Sequence, residues 1–335
     1  MDGLTIVFGS GSVGRPIIEL LASRGDRVRV ATRTRPEKLP DGVEHVGCDV
    51  LDGAAVVRAV EGATQVVLAV GFPYDSRVWR MVWPRTMANL LTACDAAGAR
   101  LVFIDNLYQL GPRTTRRHEE MDLSDAGEKA AILSEVTRLW QAARSRVRVT
   151  ALRCTDFYGP GVANSHLGDF ALGQLAKGKP ALLLVPPDTP HDFVYVPDIA
   201  RAAVKLLDAP DDAFGQVWNM PCAPTRTPRE LLAIGAATLG QRPQLWAVPL
   251  WLMRPLGLVY RMAREVVDVG YTWDRPYLVD ARKFTRRFGF EPTPFEVGVP
   301  ATARFPRAIG DRSVPPGKQP ASTIWRAQNP SGIDG

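Results

Sequence analysis

The sequence predicts an α/β fold in which a doubly wound parallel sheet is followed by a small C-terminal lobe. Three observations carry that prediction. Short apolar runs alternate with helical segments up to about residue 152, a glycine-rich loop joins the first run to the first helical segment, and the rhythm changes after about residue 160. Strands separated by helices at this spacing need right-handed crossovers, so the strands lie parallel and the helices cover both faces of the sheet.

The elements follow in order. Residues 4–8 are an apolar run, 13–22 place apolar side chains at helical spacing, and 28–31 alternate with arginine, which gives strand, helix, strand. Residues 43–46 form a short strand, 53–60 a helix and 64–70 a buried strand. A helix over roughly 84–97 leads to a strand at 100–104, and one over roughly 126–145 leads to a strand at 147–152. Beyond residue 160, helices shorten and are separated by connections such as Val185-Pro186-Pro187-Asp188, as in a lobe laid over the C-terminal edge of the sheet. Thr227-Pro228-Arg229-Glu230 is a capping box with proline at the first helical position, so a helix starts there and runs to about Leu239. Residues 247–263 interleave tryptophan and arginine with leucine. An interfacial amphipathic helix is one reading; Pro255 and Gly257 favour a kinked helix that closes a pocket. From Pro306 onward apolar residues are few, and a mobile tail is expected over 306–335. The domains are therefore expected at 1–160, at 161–305 with some later segments returning to the sheet, and at the tail.

Composition narrows the class of function. With 46% hydrophobic and 23% charged residues the chain has the means to build a packed core, and no apolar stretch approaches the roughly 20 residues of a membrane span. A cytoplasmic protein is expected. The four cysteines form no C-x-x-C pair and the four histidines are dispersed, so neither disulfides nor a metal site is expected. The net charge of +6 is spread along the chain without a basic block interleaved with aromatics, which argues against nucleic acid. The densest basic cluster, Arg113 to Arg117, reads as a surface loop.

The loop Gly9-Ser10-Gly11-Ser12-Val13-Gly14 follows a strand and opens a helix, the context in which G-x-G-x-x-G binds a dinucleotide in a Rossmann-type sheet. Gly9 allows the tight turn, Gly11 the approach of a pyrophosphate, and Gly14 close helix packing, while the helix N-terminus favours the anion. Ser10 and Ser12 add hydroxyl donors. An NAD site would place an acid after the second strand, but the segment reads Thr32-Arg33-Thr34-Arg35. Arg33, with Arg35 behind it, suits a 2′-phosphate and predicts NADP(H). Asp49 and Val50 follow the third strand, where the carboxylate either receives the adenine amino group or caps the next helix. Ala69-Val70-Gly71 ends the fourth strand beside the cofactor.

Five stretches in order, "GSGSVG", "GCDVLDGAAVVRAVEGATQVVLAVG", "NLLTACDAAGARLVF", "LRCTDFYGPGV" and "HDFVYVPDIARAAVKLL", resemble the extended short-chain dehydrogenase/reductase superfamily that includes NAD-dependent epimerases and dehydratases. The resemblance spans residues 4 to about 305 and implies a Rossmann domain with a small substrate lobe. It also implies a serine or threonine after the fifth strand and a Tyr-x-x-x-Lys on the next helix, and here the chain departs. Asn106 falls where the serine would be, Ala126 and Ala130 take the tyrosine and lysine positions, and no lysine in the chain has a tyrosine four residues before it. Lys129, one position from the lost lysine and about 100° around a helix, reads as a surface side chain. The chain thus resembles the atypical branch of the superfamily.

The acid/base candidates that remain are Tyr108 just past the fifth strand, Asp105 and Asn106 to orient it or to bind a carbonyl, Tyr158 after the sixth strand, and His191 from the second lobe. Each has a structural alternative: packing for the tyrosines and, for His191, a surface pairing with Asp188. The expected function is NADPH-dependent reduction of a small organic carbonyl or unsaturated substrate. A non-redox isomerase, dehydratase or cyclase, and a protein that senses NADPH, are the alternatives. Phe72, Tyr74, Trp79 and Trp83, with Trp218, Trp246 and Trp251, point to an apolar or aromatic ligand, or else to packing. The helices around Asn89 and Leu133 are where similar proteins pair, and a homodimer is the expected assembly.

Overall fold

In the computed structural model, which describes residues 3–305, the first strand β1 (Leu4–Phe8) is wholly buried and runs into helix α1 (Gly14–Ser23). There follow β2 (Arg27–Thr32), β3 (Glu44–Gly47), α2 (Gly53–Val60), β4 (Ala63–Leu68), α3 (Ser76–Ala97), β5 (Arg100–Asp105), α4 (Glu128–Ala142) and β6 (Val149–Arg153). The later part adds β7 (Asp156–Tyr158), α5 (Gly173–Leu175), β8 (Ala181–Leu183), β9 (Phe193–Tyr195), α6 (Val196–Leu207), β10 (Val217–Asn219), α7 (Pro228–Thr238) and β11 (Leu245–Ala247). Helices α8 (Leu250–Val259), α9 (Arg261–Asp268), α10 (Arg282–Phe288) and α11 (Phe295–Ala303) complete it.

The main sheet has seven strands in the order β10-β6-β5-β4-β1-β2-β3, all parallel. The order reverses between β1 and β4, and at such a switch point the loops leaving adjacent strands diverge and open a crevice at the carboxyl edge. The seventh strand, β10, is supplied by the later part of the chain and pairs Val217 with Ala151. One face of the sheet packs against α2, α3 and α4 through Val56, Trp83, Leu90 and Leu133; the other packs against α1 and α6 through Ile17, Leu21, Ile199 and Leu206. A third core holds α7, α11 and β8 together around Leu172, Leu231 and Phe295. Each large side chain removed from water in these cores contributes about 1.5 to 3 kcal/mol.

Helix α3 begins eight residues before the expected start. Asp75 caps it by accepting from the Arg77 N–H at 3.0 Å, and Pro84 sits inside the helix, not at its first turn. The helix continues because Trp79, Trp83, Met87 and Leu90 form one buried stripe across the proline. The capping box at Thr227 is formed as expected, with both reciprocal hydrogen bonds. The segment 247–263 differs from its expected form. Pro255 lies within α8, and the chain breaks at Tyr260, which is extended at φ −104°, ψ 120°. The carbonyl that Pro255 leaves without a donor belongs to exposed Trp251, so the interruption costs little burial. The expected tail at 306–335 lies outside the described residues. All four cysteines are free, and among the described residues no helix is long and apolar enough to cross a membrane.

The expected basic surface loop is consumed by the chain itself. Arg117 is fully buried with its guanidinium 3.7 Å over the Tyr277 ring, and its backbone N–H donates to the Leu278 carbonyl. Arg113 donates to the carbonyls of Leu110 and Asp122. Arginine pairs readily with carbonyls and aromatic faces, so a run of arginines need not be a free positive surface.

Candidate active site

The glycine loop sits at the switch point of the sheet. Gly9, at φ +96°, turns so sharply that a Cβ there would meet the Ala69 carbonyl oxygen at 2.6 Å, and a Cβ on Gly14 would meet the Gly9 carbonyl at 2.0 Å. Only glycine fits at either position. Gly11 is different, since its Cβ position faces open space. Among the described residues no side chain caps α1 and its first turn carries no acid; the Arg15 N–H is taken by the Gly11 carbonyl at 2.9 Å and Pro16 has none, which leaves the amides of Val13 and Gly14 to face an anion. Ser10, Ser12 and Val13 are half-buried around this opening, and Ala69, Val70 and Gly71 form its other wall as the chain leaves β4.

Arg33 and Arg35 lie just past β2, whose Ala31 carbonyl accepts from the Gly9 N–H. Both are exposed, and neither has an ion-pair partner among the described residues. Asp49 is exposed and accepts from the Leu51 N–H at 3.0 Å; Asp52, not Asp49, caps α2. Val50 is buried below this turn, and its carbonyl accepts from the Asn89 amide.

At the ends of β5 and β6 the chain builds a row of polar groups. Asn106 accepts from the Tyr108 N–H at 2.9 Å, which sets the turn that carries Tyr108. The Tyr108 phenol shares a hydrogen bond of 3.3 Å with the Tyr74 phenol, its ring stacks on Trp79, and its carbonyl accepts from the Tyr271 hydroxyl at 3.0 Å. Burial, with Tyr74 and the Asp156 carboxylate nearby, pushes the Tyr108 phenol well above its ordinary range, and burial does the same for Tyr74. Asp105 stands behind this turn. It is buried, receives Gln109 at 2.6 Å and pairs with Arg153 at 3.4 Å, and burial outweighs those partners to push its carboxyl up to about 6.

Asp156, just after β6, takes the Nε2 of His191 at 2.8 Å. His191 is fully buried, sandwiched between Trp273 at 3.8 Å and Tyr277 at 5.0 Å, so the surface pairing with Asp188 does not occur; Asp188 pairs with Arg229 instead. Burial is the largest single influence on the Asp156 carboxyl and raises it, but the His191 hydrogen bond together with the electrostatic pull of His191 and His166 outweighs burial and holds Asp156 below its ordinary value. Tyr158 is separate from this row. It lies in the third core against Tyr195 and Phe295, with its hydroxyl toward Gly298, where any Cβ would come within 2.5 Å of it.

Lys129 is not a surface residue. It is fully buried, ion-paired with Glu265 and 3.7 Å from Asp268, both on α9, and its ammonium lies 4.3 Å over the Tyr74 ring. Helix α4 starts at Glu128, two residues after the expected start at 126, and Asp268 accepts from the N–H groups of Glu128 and Lys129 at 2.8 and 3.1 Å. Gly127, at φ +103°, makes room for that carboxylate. Burial pushes Glu265 up, yet hydrogen bonds from Lys129 and Ser76 outweigh it and leave the carboxyl below its usual range. Tyr74, Lys129, Glu265 and Asp156 therefore join Tyr108 in the same region. Glu265 lies 136 residues from Lys129, so no local signal pairs them. Of the aromatic candidates, Trp79, Trp83 and Trp218 are core residues, while Trp246 and Trp251 are exposed.

Comparison with known proteins places this architecture. A model of the NAD dependent epimerase/dehydratase family matches residues 5–220, more than half of the chain. The chain belongs to that family. Its fold is shared with UDP-glucose 4-epimerase from Thermus thermophilus, solved with NAD, at 23% identity over 90% of this chain and 97% of that one, with a TM-score of 0.72. It is shared equally with the Bordetella bronchiseptica enzyme WbmH in complex with NAD+, at 20% identity over 91% and 98% and a TM-score of 0.71. UDP-glucuronic acid 4-epimerase from Bacillus cereus, solved with UDP-glucuronic acid and NAD, gives a TM-score of 0.75 at 14% identity over 90% and 98%. No curated protein sequence matches the chain significantly. Within this epimerase/dehydratase family the chain keeps the glycine loop and the parallel sheet but carries alanine at positions 126 and 130.

Proposed function

We propose that this family member is an NADP(H)-dependent enzyme acting on a small organic carbonyl or unsaturated substrate, with Tyr108 as its proton donor. The observation that carries the reading is the Tyr108 phenol itself, set at the carboxyl edge of the sheet by the turn on Asn106 and hydrogen-bonded to Tyr74 at 3.3 Å. The glycine loop supports a dinucleotide there, because Gly9 and Gly14 fit only without a Cβ and Gly11 leaves open space before an uncapped helix. Arg33 and Arg35, without acid partners among the described residues, support a 2′-phosphate, whereas the similar solved structures contain NAD. When bound, the nicotinamide would supply or accept hydride.

The chain's own groups divide the remaining work. Tyr108 holds the proton for the substrate oxygen as negative charge develops there. Tyr74 and the turn made by Asn106 hold the phenol in place. Asp156 faces the same region, with His191 buried behind it as a positioning residue. Lys129 is neutralised by Glu265, so it does not lower the phenol as the lysine of Tyr-x-x-x-Lys would; this supports donation, not abstraction, by Tyr108. Residues 161–305, apart from the segments that return to the sheet, are the substrate-facing part in this reading.

Calorimetric titration with NADPH and NADH tests the cofactor. NADPH is expected to bind at least tenfold more tightly than NADH, and Arg33→Ala to weaken NADPH by roughly 10- to 100-fold, the range of one or two charge-assisted hydrogen bonds. Equal binding of the two nucleotides would remove the assignment of Arg33. Substrate-dependent change in nicotinamide absorbance then separates net reduction from a non-redox reaction on the same site.

A further inference from the structure

Water does not explain helix α8. Its Met253 and Leu256 pack on Ala263 and Val266, yet the opposite face is apolar and bare. At about 100° per residue, Trp251, Leu252, Arg254, Leu258 and Val259 fall within an arc of about 160°. Trp251 is 71% exposed and Leu258 81%. Of the twelve large apolar side chains exposed among the described residues, eight lie between 246 and 267, so this is one patch and not scattered exposure. A helix buried on one side and apolar on the other but for a single arginine has a second face that also calls for cover from water.

Charge decides between occupants. Residues 241–264 contain Arg242, Arg254, Arg261 and Arg264 and no aspartate or glutamate. Arg261 pairs with Asp75 and Arg264 donates to the Gly257 carbonyl, while Arg242 and Arg254 have no ion-pair partner among the described residues. A second copy seated on this face would set arginine against arginine, since the one carboxylate between residues 246 and 267, Glu265, is buried and taken by Lys129. A negatively charged bilayer surface meets every feature: aliphatic side chains enter the acyl boundary, Trp251 and Tyr260 suit the headgroup level, and the Arg254 stem reaches back to the phosphates.

We infer that the exposed face of α8 docks the protein on an anionic lipid surface, without spanning it. Unlike the second half of the same segment, α9, which holds Lys129, α8 turns its apolar face outward.

The test is sedimentation of the full chain with vesicles of phosphatidylcholine alone and of equal parts phosphatidylcholine and phosphatidylglycerol. Capture by the anionic vesicles is expected to exceed capture by neutral ones roughly tenfold and to fall at high salt. Leu258→Glu and Trp251→Glu, both at exposed positions that leave the cores intact, are expected to abolish capture, and Arg254→Glu to remove the preference for anionic lipid while Arg254→Lys keeps it. Absence of capture, or capture unchanged in Leu258→Glu, overturns the inference. So does a dimer, seen by light scattering, that Leu258→Glu dissociates while vesicles capture nothing; that result assigns the face to a second copy of the chain.

Discussion

Replacing Tyr108 with phenylalanine is expected to lower kcat by about 10²- to 10⁴-fold, the usual contribution of a positioned general acid, with little change in substrate affinity. The substitution removes one oxygen. The ring keeps its stack on Trp79, and the Tyr271 hydroxyl still reaches the residue 108 carbonyl, so the loss is chemical and not architectural. Because the phenol is held well above its ordinary range, the wild-type enzyme should keep its proton donor through neutral and mildly alkaline pH and lose activity only as the pH climbs toward that raised value. Tyr108→Phe should flatten this alkaline limb. Steady-state turnover against pH, with a carbonyl substrate found by screening for NADPH oxidation, is the measurement; unaltered kcat and an unaltered profile would exclude Tyr108. Tyr74→Phe, which removes only the partner of the 3.3 Å hydrogen bond, should give a smaller loss and a shift of the same limb.

Lys129→Met should destabilise the protein by about 3 to 5 kcal/mol, the cost of leaving a buried charge without its partner. Lys129 is fully buried and Glu265 nearly so, and α9 is fastened to α4 through them and Asp268. The double replacement Lys129→Met with Glu265→Leu should recover most of the loss, because an apolar pair of similar volume needs no charge compensation. Denaturant midpoints of the two single variants and the double variant give the coupling. The pH dependence has a definite direction. Glu265 is held below its ordinary value, so its contribution is fully present at neutral pH and is lost as the pH falls through that lowered value. Removing Lys129 should weaken that acid dependence, and a single variant as stable as the wild type would mean that the pair does not hold α9 in place.

Local sequence was sufficient for everything decided by neighbours in the chain. The apolar runs and their spacing determine the parallel sheet, because a strand covered on both faces must be apolar throughout and a parallel pair must be joined by a crossover. Gly9 and Gly14 were legible for the same reason: the turn and the close approach that exclude a Cβ are made by the loop with the ends of its own strand and helix and with the adjacent β4. Thr227 and Glu230 read as a capping box because both partners lie within one turn. Arg33 stands out because the residue after the second strand has a fixed place in such a sheet.

Long-range packing decided the rest. Lys129 reads as surface because its partners Glu265 and Asp268 arrive from α9, and no periodicity in α4 announces a buried ammonium. His191 changes from a surface residue to a buried one because Trp273 and Tyr277 close over it and Asp156 supplies its hydrogen bond across 35 residues. Arg117 looks like part of a positive loop until Tyr277 lies beneath it. The periodic pattern of apolar residues records which side of an element leaves water, but it carries no record of which partner a charged side chain meets there. That partner is chosen by the tertiary fold, where a single ion pair or ring contact outweighs the local preference of lysine, arginine or histidine for solvent.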